Sequence, residues 1–143
     1  MLKIVFVILS LACCQLIHAQ APDTQFGQIV VEVKGRSVSL EYADTIELRS
    51  QGLMYRESMC TDCGMLFYYG QSKQGSMWMR NTLIPLDVAF IRKDGVITDI
   101  KAMQPHDENI TKSSEQVLYA WEMNQGWFKS NGIAVGDTVS IKQ

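Results

Sequence analysis

Apolar and polar residues alternate with a period of two along much of this chain, the pattern of strands with one buried face. Ile29, Val31 and Val33 alternate with Val30, Glu32 and Lys34. Past Gly35-Arg36 the alternation resumes, with Val38, Leu40 and Tyr42 set against Ser37, Ser39 and Glu41. Glycine at the first central position suits a type II′ turn, so this stretch predicts a β-hairpin with Gly35-Arg36 at its tip. Further strands are expected at residues 65–69, where Gly70 would end the strand, at 77–79, 86–92, 96–98 and 117–121, and around Val139 and Ile141. Asp94-Gly95 reads as a hairpin turn, and Gly136-Asp137 as the turn into the last strand.

A helical period shows in only two places. Ile46, Arg49 and Leu53 share one helical face. Asp44 or Thr45 can cap that helix, with Glu47 three residues after Asp44, and Gly52 would stop it. Residues 126–131 predict a single helical turn ended by Gly132. Many short strands with one or two short helices predict a mostly β (α+β) domain, a small antiparallel barrel-like fold or sandwich. The crossover helices of a parallel α/β sheet are missing from the pattern.

The N-terminus follows a different logic. Lys3 precedes an apolar run, Ile4 to Leu9 and on to Ala12, and Ala19 offers a small-residue cleavage site. That is the secretory signal pattern. A membrane span needs about 20 apolar residues, and Gln15 interrupts this run. The expected layout is therefore a signal peptide at 1–19, a flexible lead-in at 20–27 that contains Pro22, and one domain at 28–143 with no span left after cleavage. The expected location is periplasmic or extracellular. Leu11-Ala12-Cys13-Cys14 loosely matches the lipobox of bacterial lipoproteins, so lipid anchoring is the alternative.

Composition narrows the partners. The chain has 143 residues, 13 Lys and Arg, 15 Asp and Glu, and net charge −2. Losing residues 1–19 removes Lys3 alone among the charges, leaving 12 basic and 15 acidic side chains and a net charge of −3. No Lys/Arg cluster is present, which argues against nucleic acid and against electrostatic docking to anionic lipid. Cleavage would also take Cys13 and Cys14, leaving Cys60 and Cys63 in an oxidising compartment where a disulfide is the default.

The central block carries a recognisable set of motifs. It reads Gln51-Gly52-Leu53-Met54-Tyr55-Arg56, then Gly64-Met65-Leu66-Phe67, then Trp78-Met79-Arg80-Asn81-Thr82-Leu83-Ile84-Pro85-Leu86-Asp87. With the Asp94-Gly95 hairpin and the late Gly136-Asp137 turn, this order resembles the bacterial and archaeal family called domain of unknown function 192, over roughly residues 31–141. Met77 departs from the pattern, standing where that family usually has an aromatic residue. Cys60 and Cys63 lie in a segment that varies within it. The resemblance implies a compact β-rich fold, often exported, and supplies no agreed activity.

Candidate chemistry is sparse. No nucleophile elbow, phosphate loop or His-rich metal motif occurs. No pair stands out among the carboxylates Glu41, Asp44, Glu47, Asp87 and Asp99. Within the motif block, Arg56, Arg80, Asn81 and Asp87 are the candidate ligand contacts, since Arg presents a forked donor and Asn and Asp give oriented polar edges. The same residues can instead tie down the loop at 80–85. Met77 and Met79 flank Trp78, and thioethers suit Cu(I). With His106 they form a candidate copper site, while the competing reading is Met as core filler. Asp62 lies between Cys60 and Cys63, and its charge disfavours a thiolate, so a structural disulfide is expected ahead of a redox site. The resulting expectation is a non-enzymatic envelope domain, without a cofactor, that binds a small polar ligand or a protein partner. Cu(I) handling and thiol redox work are the alternatives.

Overall fold

The computed structural model describes residues 25–142. The signal, lipobox and most of the lead-in fall outside the described residues. The elements are β1 (Gly27–Val33), β2 (Arg36–Ala43), α1 (Ile46–Gln51), β3 (Gly64–Met77), β4 (Leu86–Ile91), β5 (Ile97–Met103), β6 (Thr111–Asn124), α2 (Trp127–Ser130) and β7 (Val139–Lys142). The strands form one sheet in the order β5-β4-β6-β3-β2-β1-β7. Neighbours are antiparallel except β2 and β3, which run parallel. A parallel pair needs a crossover, and here α1 and the disulfide loop supply it. The sheet curls until its two ends meet beside β5 and β7. Val96 bridges Thr138, and Gly95 and Ile97 exchange backbone bonds with Val139, Asp137 and Gly136. The result is the barrel-like, mostly β domain that the alternation predicts.

Two apolar clusters lie on opposite faces of the sheet. The interior one gathers Val31, Leu40, Leu66, Ala89, Ile91, Trp121 and Met123 with Trp127 and Phe128 of α2. The Phe128 ring meets Trp121 edge-on, with centroids 4.9 Å apart. The outer cluster holds Met65, Phe67, Leu86, Val88, Phe90 and Ala120 under Leu53, Met79 and Ile84. β4 lies between the two and is buried at every position, which is why its sequence is almost continuously apolar.

Local details differ from the sequence expectation in three places. The first hairpin turns at Lys34-Gly35, with φ of +50° and +75°, and Val33 pairs Arg36. Positive φ at both central residues is the type I′ arrangement, whose twist matches the flanking strands. Gly70, expected to end a strand, instead lies within β3 at φ +79°. The register against β6 shifts between Tyr68 and Lys73, so the glycine serves a bulge and the strand continues to Met77. Trp78 and Met79 follow that strand rather than forming one of their own.

The Cys60–Cys63 disulfide closes the loop before β3, with Cα atoms 5.1 Å apart. The loop is docked as well as closed. Trp127 Nε1 donates to Asp62 at 2.8 Å, and Asn124 Nδ2 donates to the Cys60 carbonyl at 2.9 Å. A cross-link over so short a loop contributes about 2 kcal/mol by chain entropy.

Candidate functional site

The outer cluster is open on one side. A cleft of about 480 Å³ lies between α1 and the second half of β3, walled by Leu53, Met54, Phe67, Met77 and Trp78 and edged by Ser50, Gln51, Ser76 and Thr82. α1 is positioned by its cap: Thr45 Oγ1 accepts from the Leu48 amide at 3.2 Å, and Gly52 closes the other end. None of its residues is buried, so its position depends on tethers. Arg49 Nη1 provides two, donating to the carbonyls of Asp44 at 2.8 Å and Tyr68 at 2.7 Å.

Glu122 of β6 is part of the cleft lining and is only 3% exposed. It stands between Met65 of β3 and Val88 of β4 in the sheet register, both fully buried. Its carboxyl has no hydrogen-bond partner among the described residues. Burial disfavours the ionised form, and it pushes this carboxyl up to about 8. Glu122 is therefore mostly protonated at neutral pH. Burial likewise holds the Tyr69 phenol far above its ordinary range, and Glu122, ionised at the high pH where that phenol would titrate, adds to the effect. Tyr69 remains a neutral hydroxyl, donating to Met77 Sδ at 3.4 Å, while Lys73 Nζ sits 4.6 Å from the centre of its ring.

The loops beside the cleft are stitched together by backbone bonds. The Tyr55 amide donates to Asn81 O at 2.8 Å, the His106 amide to Thr82 O at 3.1 Å, and the Met79 amide to Asp107 O at 2.9 Å. Tyr55, Asn81 and His106 hold φ of +64°, +57° and +61°. A bulky residue such as Tyr in the left-handed region carries strain on the order of 1–3 kcal/mol.

Each residue singled out from the sequence has a definite place. Arg56 pairs with Glu41 at 2.6 Å and lies over the Phe26 ring, away from the cleft lining. Arg80 is exposed, stacked 5.6 Å over the Trp78 ring that walls the cleft. Asn81 contributes its strained backbone to the loop junction. Met77 lines the cleft, Met79 is buried in the outer cluster and His106 is exposed. Asp87 shares its strand face with Ala89 and Ile91 of the interior cluster, and its Oδ2 accepts the Gly126 amide at 2.7 Å. It thus fixes the start of α2. Asp87→Asn is expected to cost about 1–3 kcal/mol by weakening a charge-assisted bond. Thermal melts would check this, and an unchanged melting temperature would contradict a scaffold role.

Glu122, Arg49, Tyr69 and Lys73 were not singled out from the sequence. A signal for Glu122 existed: an acid between Trp121 and Met123, in a strand run whose two faces are both apolar, can hardly avoid burial.

Comparison with known proteins bears on the family and the fold. A proposed transcription regulator from Sinorhizobium meliloti 1021 is 38% identical, with a TM-score of 0.78 over 83% of this chain and 97% of its own. A protein of unknown function from Novosphingobium aromaticivorans DSM 12444 is 30% identical, with a TM-score of 0.73 over 84% of this chain and 89% of its own. No curated protein matches. The model of the family DUF192, described as an uncharacterized ACR, matches residues 29–141, and the chain belongs to that family.

Proposed function

We propose that this is an exported, non-enzymatic binding domain that takes a small polar ligand in the cleft between α1 and β3. The observation that carries the reading is Glu122, a buried carboxyl with no partner among the described residues, placed in the lining of an open cleft. A carboxyl this deeply buried carries a desolvation cost, and such costs persist where the group serves a ligand site. The remaining lining residues include no second carboxyl and no His, so an acid/base pair for hydrolysis is not assembled there.

The S. meliloti relative raises DNA binding as an idea, but 13 basic against 15 acidic side chains with no basic cluster make a poor electrostatic footprint. A protein partner on the same face is the second reading. It is favoured by the exposure of Ile46, Tyr55, Trp78 and Leu83 on and beside the cleft.

A thermal-shift panel of sugars, amino acids, polyamines, nucleosides and dicarboxylates would test ligand capture. At least one compound is expected to raise the melting temperature saturably in the wild type, but not in Glu122→Gln or Trp78→Ala. No shift at millimolar concentration, or the same shift in both variants, would remove the cleft from consideration. Export rests on the pattern of residues 1–19. Intact mass of the protein from an envelope fraction is expected to place the N-terminus at Gln20. A retained Met1, or diacylglycerol on Cys13 or Cys14, would overturn cleavage at that point.

A further inference from the structure

We infer that the ligand of this cleft is a small zwitterion, an α-amino acid with an apolar side chain, bound with its ammonium on Glu122 and its carboxylate toward Arg49 and Lys73. The inference rests on the cleft being a binding site and names what it takes. Its basis is the placement of charge. The acid, Glu122, is buried in the sheet beneath the cleft, whereas Lys73 is exposed and Arg49 half-buried. Arg49 spends Nη1 on two backbone carbonyls, and among the described residues nothing takes its Nε or Nη2.

Ligands with other charge patterns leave part of this arrangement unanswered. A simple cation would suit Glu122 but share the cleft with two cationic side chains. A simple anion would be drawn by those cations and then face the acid. A neutral polyol would satisfy Glu122 with a hydrogen bond and leave Arg49 and Lys73 unused. A dipolar ligand answers both ends. Its side chain would lie against Met54, Phe67, Met77 and Trp78, which offer thioether and aromatic surface.

Binding would be linked to pH. The charged and titratable groups that share the cleft lining with Glu122 are Tyr69 and Lys73 from β3 and Arg49 from α1, while its β4 neighbour Val88 carries no charge. Glu122 itself is the group displaced into the neutral range. An ammonium selects the ionised carboxyl, so apparent affinity follows the ionised fraction, rising about tenfold from pH 6 to pH 7.

Isothermal titration with four probes tests this. L-phenylalanine is expected to bind, about tenfold more tightly at pH 7 than at pH 6. L-phenylalaninamide, which lacks the carboxylate, and N-acetyl-L-phenylalanine, which lacks the ammonium, are each expected to bind at least about tenfold more weakly. D-glucose should give no heat. In Glu122→Gln, L-phenylalanine should bind weakly and without the pH dependence. Tighter binding of the N-acetyl compound or of glucose, lost in Glu122→Gln, would overturn the zwitterion and keep the cleft as the site. No binding of L-phenylalanine would overturn the zwitterion, and the wider panel would then decide the cleft by itself.

Discussion

Glu122→Gln is expected to stabilise the folded protein at pH 7 by about 3 kcal/mol, and to have almost no effect at pH 4.5. The folded carboxyl titrates at about 8 instead of 4.5, because burial penalises its charged form. Between those values the folded state keeps the proton and the unfolded chain has lost it. Stability therefore falls as pH rises through this window, by about 1.4 kcal/mol per unit. Below pH 4.5 both states are protonated and the contribution is fully retained. Above 8 both are ionised and the loss is complete. Gln keeps the size and a donor while having no charge to lose, so the variant should lack this slope. Urea denaturation of both proteins at pH 4.5, 6, 7 and 8 isolates the effect, because every other titrating group is shared. Parallel stability curves would show that the carboxyl is not held neutral. The combination of a gain in stability and a loss of ligand capture is what a functional residue retained against the interest of the fold should give.

The frame of the domain was legible in the sequence because burial on one face leaves a period of two. Ile29, Val31, Val33, Val38 and Leu40 are all buried, as their alternation predicts. The cap at Thr45 and the stop at Gly52 were legible for the same local reason. Gly70 was not, because a glycine with positive φ serves a turn and a bulge equally well, and only the pairing with β6 distinguishes them. The parallel pairing of β2 with β3 is set by contacts far apart in sequence and leaves no local mark. The cleft was half legible. The motif block carrying Leu53, Met54, Trp78 and Thr82 supplies one wall, and those residues were noticed for their order. Arg56 and Asp87, with equally suggestive chemistry, turned out to hold Glu41 and the start of α2. Glu122 comes from a strand about 40 residues further on, and only the sheet register brings it beneath that block.

Gly64→Ala is expected to cost about 3 kcal/mol, near the upper end for one added methyl group in a packed region. Gly64 opens β3 directly opposite Met123 of β6. A Cβ at this position would overlap the Glu122 carbonyl oxygen and Met123 Sδ. The thioether can swing aside, but the carbonyl cannot, because β6 is held at this level by β3 on one side and β4 on the other. The strands must separate locally, and Glu122 would move with them. Gly70→Ala is the matched control. Its φ of +79° disfavours any side chain, yet nothing lies within 4 Å of the added Cβ, so only the backbone cost of about 1 kcal/mol is expected. Urea midpoints of the two variants measure the difference. The steric account requires Gly64→Ala to be the worse by about 2 kcal/mol, and it also requires ligand response to weaken in that variant at temperatures where it remains folded. Equal, small losses at both glycines would mean that β6 can shift at Glu122 without penalty, and the floor of the cleft would not be rigid.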